Sequence, residues 1–263
     1  KARSLILMPE LPEVQTVASE LNHKLKNRKI RSVMVSAPKM VGIGPAVLSP
    51  KRQVKSYQVI RFVKLFKRQK ILSVKRRAKL LIFDLSGPWS MIAHLKMTGQ
   101  FIFEDHHLRQ KTGGKYRIIN KPTAPLVSLP CKHTHVIFEF VDGSKLYFND
   151  ARKFGYIKLV HDNEINQVKE LFEFGPEPLS KEFEYPHFLT AVKKWGYSKI
   201  KEVLMDQKVV AGIGNIYSDE ILFHAGVRPT RLVASLTDKE LVAIYKSIKP
   251  VLIKGIKAKG SSV

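Results

Sequence analysis

The period of the hydrophobic residues changes once along the chain, near residue 162, and this change constrains the fold. Before it, short β-type runs recur, several of them alternating: KLLIFDLS, SMIAHLKM, GQFIFED, HVIFEFVDG and SKLYFND. Asp142-Gly143, between the last two runs, predicts a tight hairpin. After the change, apolar residues recur at helical spacing, which predicts helices near 186–195, 198–206, 215–225 and 238–257.

The segments around these runs complete the predicted architecture. Residues 13–25 form one amphipathic helix, and Thr237 with Glu240 matches a capping box at the start of the last helix. Residues 104–132 are polar and rich in Gly, Pro and Lys, which predicts a long loop. GPEPLS at 175–180 marks an entry to a second domain. The predicted fold class is therefore α+β, with an N-terminal helix, a β-sandwich or barrel-like domain and then a helical domain.

The charge of the chain points to a polyanionic partner. Lys and Arg number 46 against 22 acidic residues, a formal net charge of +24. Residues 51–80 hold twelve Lys or Arg and no Asp or Glu. Such an excess binds nucleic acid through counterion release, whereas an anionic membrane is disfavoured because no long basic amphipathic helix accompanies it. A solvated basic face is the plainer alternative.

Cysteine content and hydropathy suggest the compartment. Cys131 is the single cysteine, so no disulfide can form within the chain, and a reducing cytoplasmic setting fits. No apolar stretch reaches the length of a membrane span, so no membrane partner is expected.

The segment MPELPEV, residues 8–14, carries the first chemical signal. It resembles the N-terminal signature of the formamidopyrimidine-DNA glycosylase family, in which the initiator Met is removed and the secondary amine of the proline is the nucleophile. The pKa of an α-amine lies well below that of a Lys side chain, so a useful fraction is neutral at physiological pH. The resemblance implies that Pro9 attacks the sugar, that Glu10 acts as the acid at the ring oxygen and that Glu13 supports the site. Alone, Pro-Glu is an ordinary helix start.

Further segments resemble the family in the same order along the chain. RRAKLLIF implies that Lys79 contacts phosphate and assists elimination. HLKMTGQF implies that Met97 fills the space of a flipped nucleotide, although Lys96 stands where the family has Gly. FNDARKFG implies that Arg152 pairs with the orphaned base and that Phe154 wedges into the stack. His133, in KHTH, matches a histidine that contacts DNA. Singly, each of these motifs reads as ordinary core or turn.

The most specific resemblance covers residues 204–229, LMDQKVVAGIGNIYSDEILFHAGVRP, which is similar to a helix–two-turn–helix element. Gly212 and Gly214 allow a tight turn, so that backbone N–H groups can approach a phosphate. The resemblance implies that Asn215 binds phosphate and that Lys201 lies near the lesion.

Together the resemblance implies a bifunctional DNA glycosylase and abasic-site lyase that removes oxidised purines from damaged double-stranded DNA and acts as a nucleoid-associated monomer. The corresponding domains are an N-terminal extension (1–8), a catalytic β-sandwich domain (9–162) and a helix–two-turn–helix domain (163–263). The alternative is a non-catalytic DNA-binding homologue, blocked by its extension or truncated. A structural RNA-binding role is a third reading, because a ribosomal protein has the same helical element.

Two features depart from the family. Full-length members carry a four-cysteine zinc finger, but a chain with Cys131 alone has no such ligand set, so we expect no metal site or cofactor in these residues and interpret the sequence as part of a longer chain. KARSLIL precedes Met8, and a proline inside a chain has an acylated nitrogen that cannot attack. We therefore expect Met8 to be the biological start.

Overall fold

The computed structural model describes residues 8–49, 52–106, 115–116 and 127–260. They form two compact units. The first contains residues 16–76 and 80–169. The second contains residues 170–263 and takes up two short earlier segments, Glu10–Gln15 and Arg77–Lys79. The predicted domain limits, 9–162 and 163–263, stay a prediction. Among the described residues, no helix has both the length and the apolar character that a membrane crossing needs.

The first unit is built on two β-sheets. The four-stranded sheet has the order β1-β9-β10-β6, and the five-stranded sheet has the order β2-β11-β5-β4-β3, in which β2 and β11 run parallel. The strands are β1 (Ile30–Val35), β2 (Val41–Ile43), β3 (Ile71–Arg77), β4 (Leu80–Leu85), β5 (Trp89–His94), β6 (Gly99–Glu104), β9 (Thr134–Phe140), β10 (Lys145–Asp150) and β11 (Tyr156–His161). Every β-run read from the sequence coincides with one of these strands.

Aromatic side chains join the two sheets into a sandwich. The ring of Phe83 on β4 lies 5.7 Å from that of Phe101 on β6, edge to face, and Phe101 in turn lies 5.0 Å from Phe148 on β10. All three rings are buried. The predicted hairpin joins β9 to β10, where Gly143 has a φ of 82° that favours glycine.

The sequence reading missed a helix inside this unit. Helix α1 (Leu11–Leu25) was predicted, but α2 (Ser56–Phe66) was not. Its sequence, SYQVIRFVKLF, is rich in aromatic and β-branched residues, which favour strands. Phe62 and Phe66, one turn apart, are buried, and the Phe66 ring packs 5.2 Å from Phe138 of β9. Tertiary packing therefore overrides the local preference.

Most of the predicted loop at 104–132 lies outside the described residues, at 107–114 and 117–126. The described part holds two short antiparallel strands, β7 (Lys115–Tyr116) and β8 (Val127–Ser128).

The second unit is helical. Its helices are α3 (Lys169–Phe172), α4 (Tyr185–Lys193), α5 (Ile200–Met205), α6 (Asn215–His224) and α7 (Asp238–Lys257), so the four predicted helices are confirmed. The apolar faces of α4 to α7 share one core with Leu11, whose side chain is fully buried. The predicted capping box starts α7: the Glu240 N–H donates to the Thr237 hydroxyl (3.3 Å), and the Thr237 N–H donates to the Glu240 carboxylate (2.7 Å).

This cap gives a first prediction. Thr237→Ala removes the acceptor for the Glu240 N–H, so the free energy of unfolding should fall by about 1 kcal/mol. Denaturant unfolding of the full chain measures this change. Lys239→Ala, on an exposed position two residues further along, is the control and should leave the stability within about 0.5 kcal/mol. Equal effects of the two substitutions would contradict the capping role.

Candidate active site

The carboxylate of Glu10 lies at the N-terminus of α6. Its Oε2 accepts N–H bonds from Gly214 (2.7 Å) and Tyr217 (3.3 Å), and its Oε1 accepts one from Ile216 (2.9 Å). The first N–H groups of a helix have no partner within it and carry partial positive charge, which is why a carboxylate is bound there. Glu10 is only 1% exposed, and these bonds fix its side chain; the residue before it, Pro9, is half-buried.

Glycine is required where Glu10 meets the helix. A Cβ on Gly214 would lie 2.6 Å from the Oε1 of Glu10. Two residues earlier, Gly212 has a φ of 89°, and a Cβ there would lie 2.7 Å from the Leu11 side chain. The Leu11 N–H donates to the Gly212 carbonyl at 3.0 Å. The two glycines of the GIG segment therefore leave room for the side chains of Glu10 and Leu11, a function that the phosphate-cradle interpretation of these glycines missed.

Glu13 and Tyr217 extend the hydrogen-bond network around Glu10. The Glu13 carboxylate accepts the Glu10 N–H at 2.9 Å and the Tyr217 hydroxyl at 3.0 Å. Burial raises the pKa of Glu13 above its usual value, and the hydrogen bonds oppose this shift without cancelling it. Burial also raises the pKa of Tyr217, with the charge and hydrogen bond of Glu13 adding to the shift. The Tyr217 hydroxyl therefore stays protonated and donates.

Lys79 follows β3 in a tight turn and is buried. The turn is held by Glu177, whose Oε1 accepts the Ala78 N–H (2.5 Å) and pairs with Arg77 (3.1 Å). The Arg77 guanidinium also donates to the Gly175 carbonyl at 2.8 Å. Sequence reasoning took GPEPLS as a domain entry and missed that its glutamate fixes the turn that bears Lys79.

Asn215 and Lys201 occupy neighbouring helices of the second unit. Asn215 is the first residue of α6 and is exposed. Lys201 on α5 forms an ion pair with Asp219 of α6, with Nζ 2.7 Å from Oδ2.

Gln207 shapes the turn before α6. Its amide donates to the Ile213 carbonyl (2.7 Å), and its carbonyl accepts the Gly212 N–H (2.8 Å). The Gln side chain in the sequence MDQKVVAGIG gave no distinct signal of this role.

In the first unit, three of the predicted residues lie together. The Arg152 guanidinium lies 2.9 Å from the Met97 sulfur and 4.7 Å from the centre of the Phe154 ring. Arg152 is exposed, and Phe154 is 45% exposed. The cluster presents one cation and two apolar groups on a surface.

Asp150, fully buried, holds this cluster in place. Its Oδ1 accepts the Arg152 N–H (3.0 Å) and the Thr98 hydroxyl, and its Oδ2 accepts the Gly155 N–H (2.7 Å). One carboxylate thus links the turn of Met97 to the turn of Arg152. The signal was available, because Asp at the start of a turn commonly accepts backbone N–H groups in this way.

Two histidines flank Asp150 from the KHTH segment. The His133 carbonyl accepts the Asp150 N–H at 2.9 Å, and the His133 side chain is half-buried. His135 is buried, its Nε2 lies 2.8 Å from the Asp150 carbonyl, and burial lowers its pKa. A carbonyl only accepts, so Nε2 carries the hydrogen and His135 is a structural residue.

The backbone conformation of Lys96 explains why the family has glycine at this position. Lys96 has a φ of 51°, in the left-handed region, and Lys153 has a φ of 56°. A side chain in this region costs about 1–2 kcal/mol. Both turns of the Met97–Arg152–Phe154 cluster therefore contain a strained lysine.

That this chain holds no metal ion stays a prediction. Within the part of the chain that the structure describes, no three His, Cys, Asp or Glu side chains are grouped so that they could hold a metal ion.

Comparison with known proteins agrees with this geometry. Residues 8–157 match the formamidopyrimidine-DNA glycosylase N-terminal domain, and residues 174–263 match the H2TH domain of the same proteins. The formamidopyrimidine-DNA glycosylase of Listeria monocytogenes is 37% identical over 256 residues, which cover 97% of this chain and 81% of that protein.

Solved structures match as well. Lactococcus lactis Fpg in complex with DNA containing an abasic site superposes with a TM-score of 0.77 at 30% identity, over 97% of this chain and 80% of that one. The same enzyme in complex with DNA containing N7-benzyl-Fapy-dG superposes with a TM-score of 0.77 at 30% identity. The match covers 97% of this chain and 81% of that one.

A β-sandwich followed by a helix–two-turn–helix unit, with a buried Glu after a proline, defines a class of DNA glycosylase. The chain belongs to the formamidopyrimidine-DNA glycosylase family.

The raised pKa of Glu13 gives a second prediction. Between the ordinary pKa of the unfolded chain and the raised pKa of the folded one, the folded state binds more protons, so stability falls as pH rises through this window. Glu13→Gln removes the titrating group and should remove this fall. Unfolding measured across the acid range tests it. Glu20→Gln, on the same helix, should keep the wild-type slope, and an unchanged slope in Glu13→Gln would contradict the assignment.

Proposed function

We propose that this DNA glycosylase is bifunctional: it removes oxidised purines such as 8-oxoguanine and formamidopyrimidines from duplex DNA and then cleaves the strand by elimination. Pro9 is the nucleophile in a chain that begins at this residue. The observation that carries the proposal is the Glu10 carboxylate, which is fixed by three backbone N–H groups directly after that proline.

The first half of the reaction exchanges one bond at the sugar. The lone pair of the Pro9 nitrogen forms a bond to C1′, and the bond from C1′ to the base breaks, so that the base leaves with the electron pair and takes up a proton. Glu10 donates a proton to the ring oxygen as the C1′–O bond opens. The nitrogen loses its own proton and its lone pair forms the C1′=N⁺ iminium.

The second half uses the iminium as an electron sink. A proton leaves C2′, its electron pair moves toward the nitrogen, and the 3′ phosphate then departs as the C2′=C3′ bond forms. Lys79 contacts the phosphate and assists this departure. Water hydrolyses the conjugated iminium and frees Pro9.

The geometry around Glu10 fixes the carboxyl group in place and leaves one of its positions open. A carboxyl group has about four acceptor positions, and three are occupied by the N–H groups of α6. One position is left for the proton that is transferred. Glu13 supports this arrangement through the Glu10 N–H.

The charges and exposed groups support binding to damaged DNA. A net charge of +24 favours a polyanion, and the exposed Asn215 at the helix start offers contact to a phosphate. Met97, Arg152 and Phe154 would occupy the space of an everted nucleotide, and His133 and Lys201 would contact the DNA near it. Relatives bear the name formamidopyrimidine-DNA glycosylase, and the Lactococcus enzyme was solved with DNA containing an abasic site or a modified Fapy-dG, which supports the lesion class.

The nucleophile gives a third prediction. A chain that starts at Pro9 should form a covalent adduct with abasic-site duplex DNA in the presence of borohydride, which reduces the iminium. The 263-residue chain should trap at least about 100-fold more slowly, because Met8 acylates the nitrogen and only lysines remain as weak nucleophiles. The measurement is the rate of adduct formation on a denaturing gel.

Glu10→Gln in the trimmed chain separates the two steps. It should lose base excision by about 100-fold or more, yet keep trapping on a pre-formed abasic site, where no base must leave. Equal trapping rates of the trimmed and untrimmed chains would make a lysine such as Lys79 the better nucleophile. If neither chain traps, even after extension to the full length of the relatives, the protein is a non-catalytic DNA-binding homologue.

The exposed cluster gives a fourth prediction. Met97→Ala, Arg152→Ala and Phe154→Ala should each slow excision from duplex DNA by about tenfold or more, while binding of undamaged duplex changes little, because these groups act after a base is unstacked. Met34→Ala, at an exposed methionine of the same unit, is the control. Equal losses on excision and on undamaged binding would contradict the assignment.

A further inference from the structure

The turn between α4 and α5 displays two aromatic side chains. Tyr197 is 96% exposed and Trp195 is 43% exposed. Among the described residues, the Tyr197 side chain has no hydrogen-bond partner and packs into no core cluster. The Tyr197 side chain therefore contributes little to the stability of the fold. None of the proposed catalytic or lesion contacts involves Tyr197.

The backbone of this turn is held firmly. The Ser198 N–H donates to the Trp195 carbonyl at 2.8 Å, which closes the turn. The Gly196 carbonyl accepts the Ala234 N–H (2.9 Å), and the Ser198 carbonyl accepts the Val233 N–H (3.0 Å). The aromatic groups are thus presented on a fixed frame, which reduces the entropy lost when a ligand is bound.

The charge around the turn is positive. Residues 193–201, KKWGYSKIK, contain four lysines and no acid. Lys193 pairs with Asp238 (3.1 Å) and Lys199 with Glu202 (3.5 Å), but both pairs are exposed and weak. Lys194 is exposed and forms no ion pair with any described residue. Lys201 is paired with Asp219 at 2.7 Å, so Lys194 and the weakly paired Lys193 and Lys199 are the cations that can turn to phosphates.

We propose that the turn 195–198 is a binding site for single-stranded DNA, on which an unpaired base stacks against Tyr197 and a neighbouring base against Trp195 while the lysines neutralise phosphates. In a duplex the base faces are already stacked and only the edges are accessible in the grooves, so an aromatic face finds a partner only where bases are unpaired. The inference takes its ligand, DNA, from the proposed function and adds a second site to it.

The test compares binding to two strands of equal length, oligo-dT and a base-free strand of reduced abasic units that cannot form a Schiff base. Tyr197→Ala in the full chain should weaken oligo-dT binding about tenfold in a fluorescence anisotropy titration, whereas Tyr197→Phe should stay within about twofold of wild type. Neither substitution should change binding of the base-free strand. Phe223→Ala is the matched control, because Phe223 is 82% exposed in the same unit.

A second measurement uses the fluorescence of tryptophan, of which the chain has two. Trp89→Phe leaves Trp195 as the sole indole, whose fluorescence should be quenched by oligo-dT and not by the base-free strand.

Three results would each overturn the inference. They are wild-type affinity of Tyr197→Ala for oligo-dT, an equal loss on the base-free strand, which would leave only a phosphate contact, and an equal loss in Phe223→Ala. If oligo-dT did not quench the fluorescence of Trp195, Trp195 would not be part of the site. These measurements test DNA binding and not catalysis. Failure of borohydride trapping would therefore contradict the proposed lyase function without affecting the inference about the turn 195–198.

Discussion

The bonds between the Glu10 carboxylate and the first N–H groups of α6 hold the segment Glu10–Gln15 to the helices of the second unit. Burying three helix-terminal N–H groups without a partner would cost about 1–3 kcal/mol each, and burying an unpartnered carboxylate would cost more because it is charged. Each therefore requires the other. The requirement extends outward to Gly214, which leaves room for the carboxylate, and to Glu13, which binds the Glu10 N–H. A helix start some two hundred residues away thereby fixes the residue that follows Pro9.

The same use of an acid as an acceptor of backbone N–H groups recurs elsewhere in the chain. The buried Asp150 joins the turns that bear Met97 and Arg152, and the partly buried Glu177 holds the turn that bears Lys79. Acids are scarce in this sequence, 22 against 46 basic residues, and each of these three fixes backbone groups next to a residue with a proposed role. A large excess of positive charge together with fixed turns suits a protein that binds a polyanion.

Three of the six described non-glycine residues with a positive φ lie in those turns. Ala78, Lys96 and Lys153 all have positive φ values, and each lies next to a residue with a proposed role in DNA binding or catalysis. Such conformations persist only where the surroundings fix them, and they are common at functional sites. The Ala78 backbone is fixed by Glu177, and the turns that contain Lys96 and Lys153 are fixed by Asp150.

The sequence by itself determined the order of the elements, because periods of two and of 3.6 residues reflect which side of a strand or helix is buried. It also determined the hairpin at Asp142-Gly143 and the cap at Thr237, which depend on neighbours a few residues away. Helix α2 depended on packing, since Phe62 and Phe66 are buried against strands whose positions the segment SYQVIRFVKLF does not encode. The distant partners of Glu10, Asp150 and Glu177 were decided only by the tertiary structure. The N–H groups at the start of α6, the Thr98 hydroxyl and the Ala78 N–H lie about 50 or more positions away from these acids along the chain. Such hydrogen bonds have no period or spacing in the sequence, and they form only when the folded chain brings a carboxylate to polar groups that lack any other acceptor.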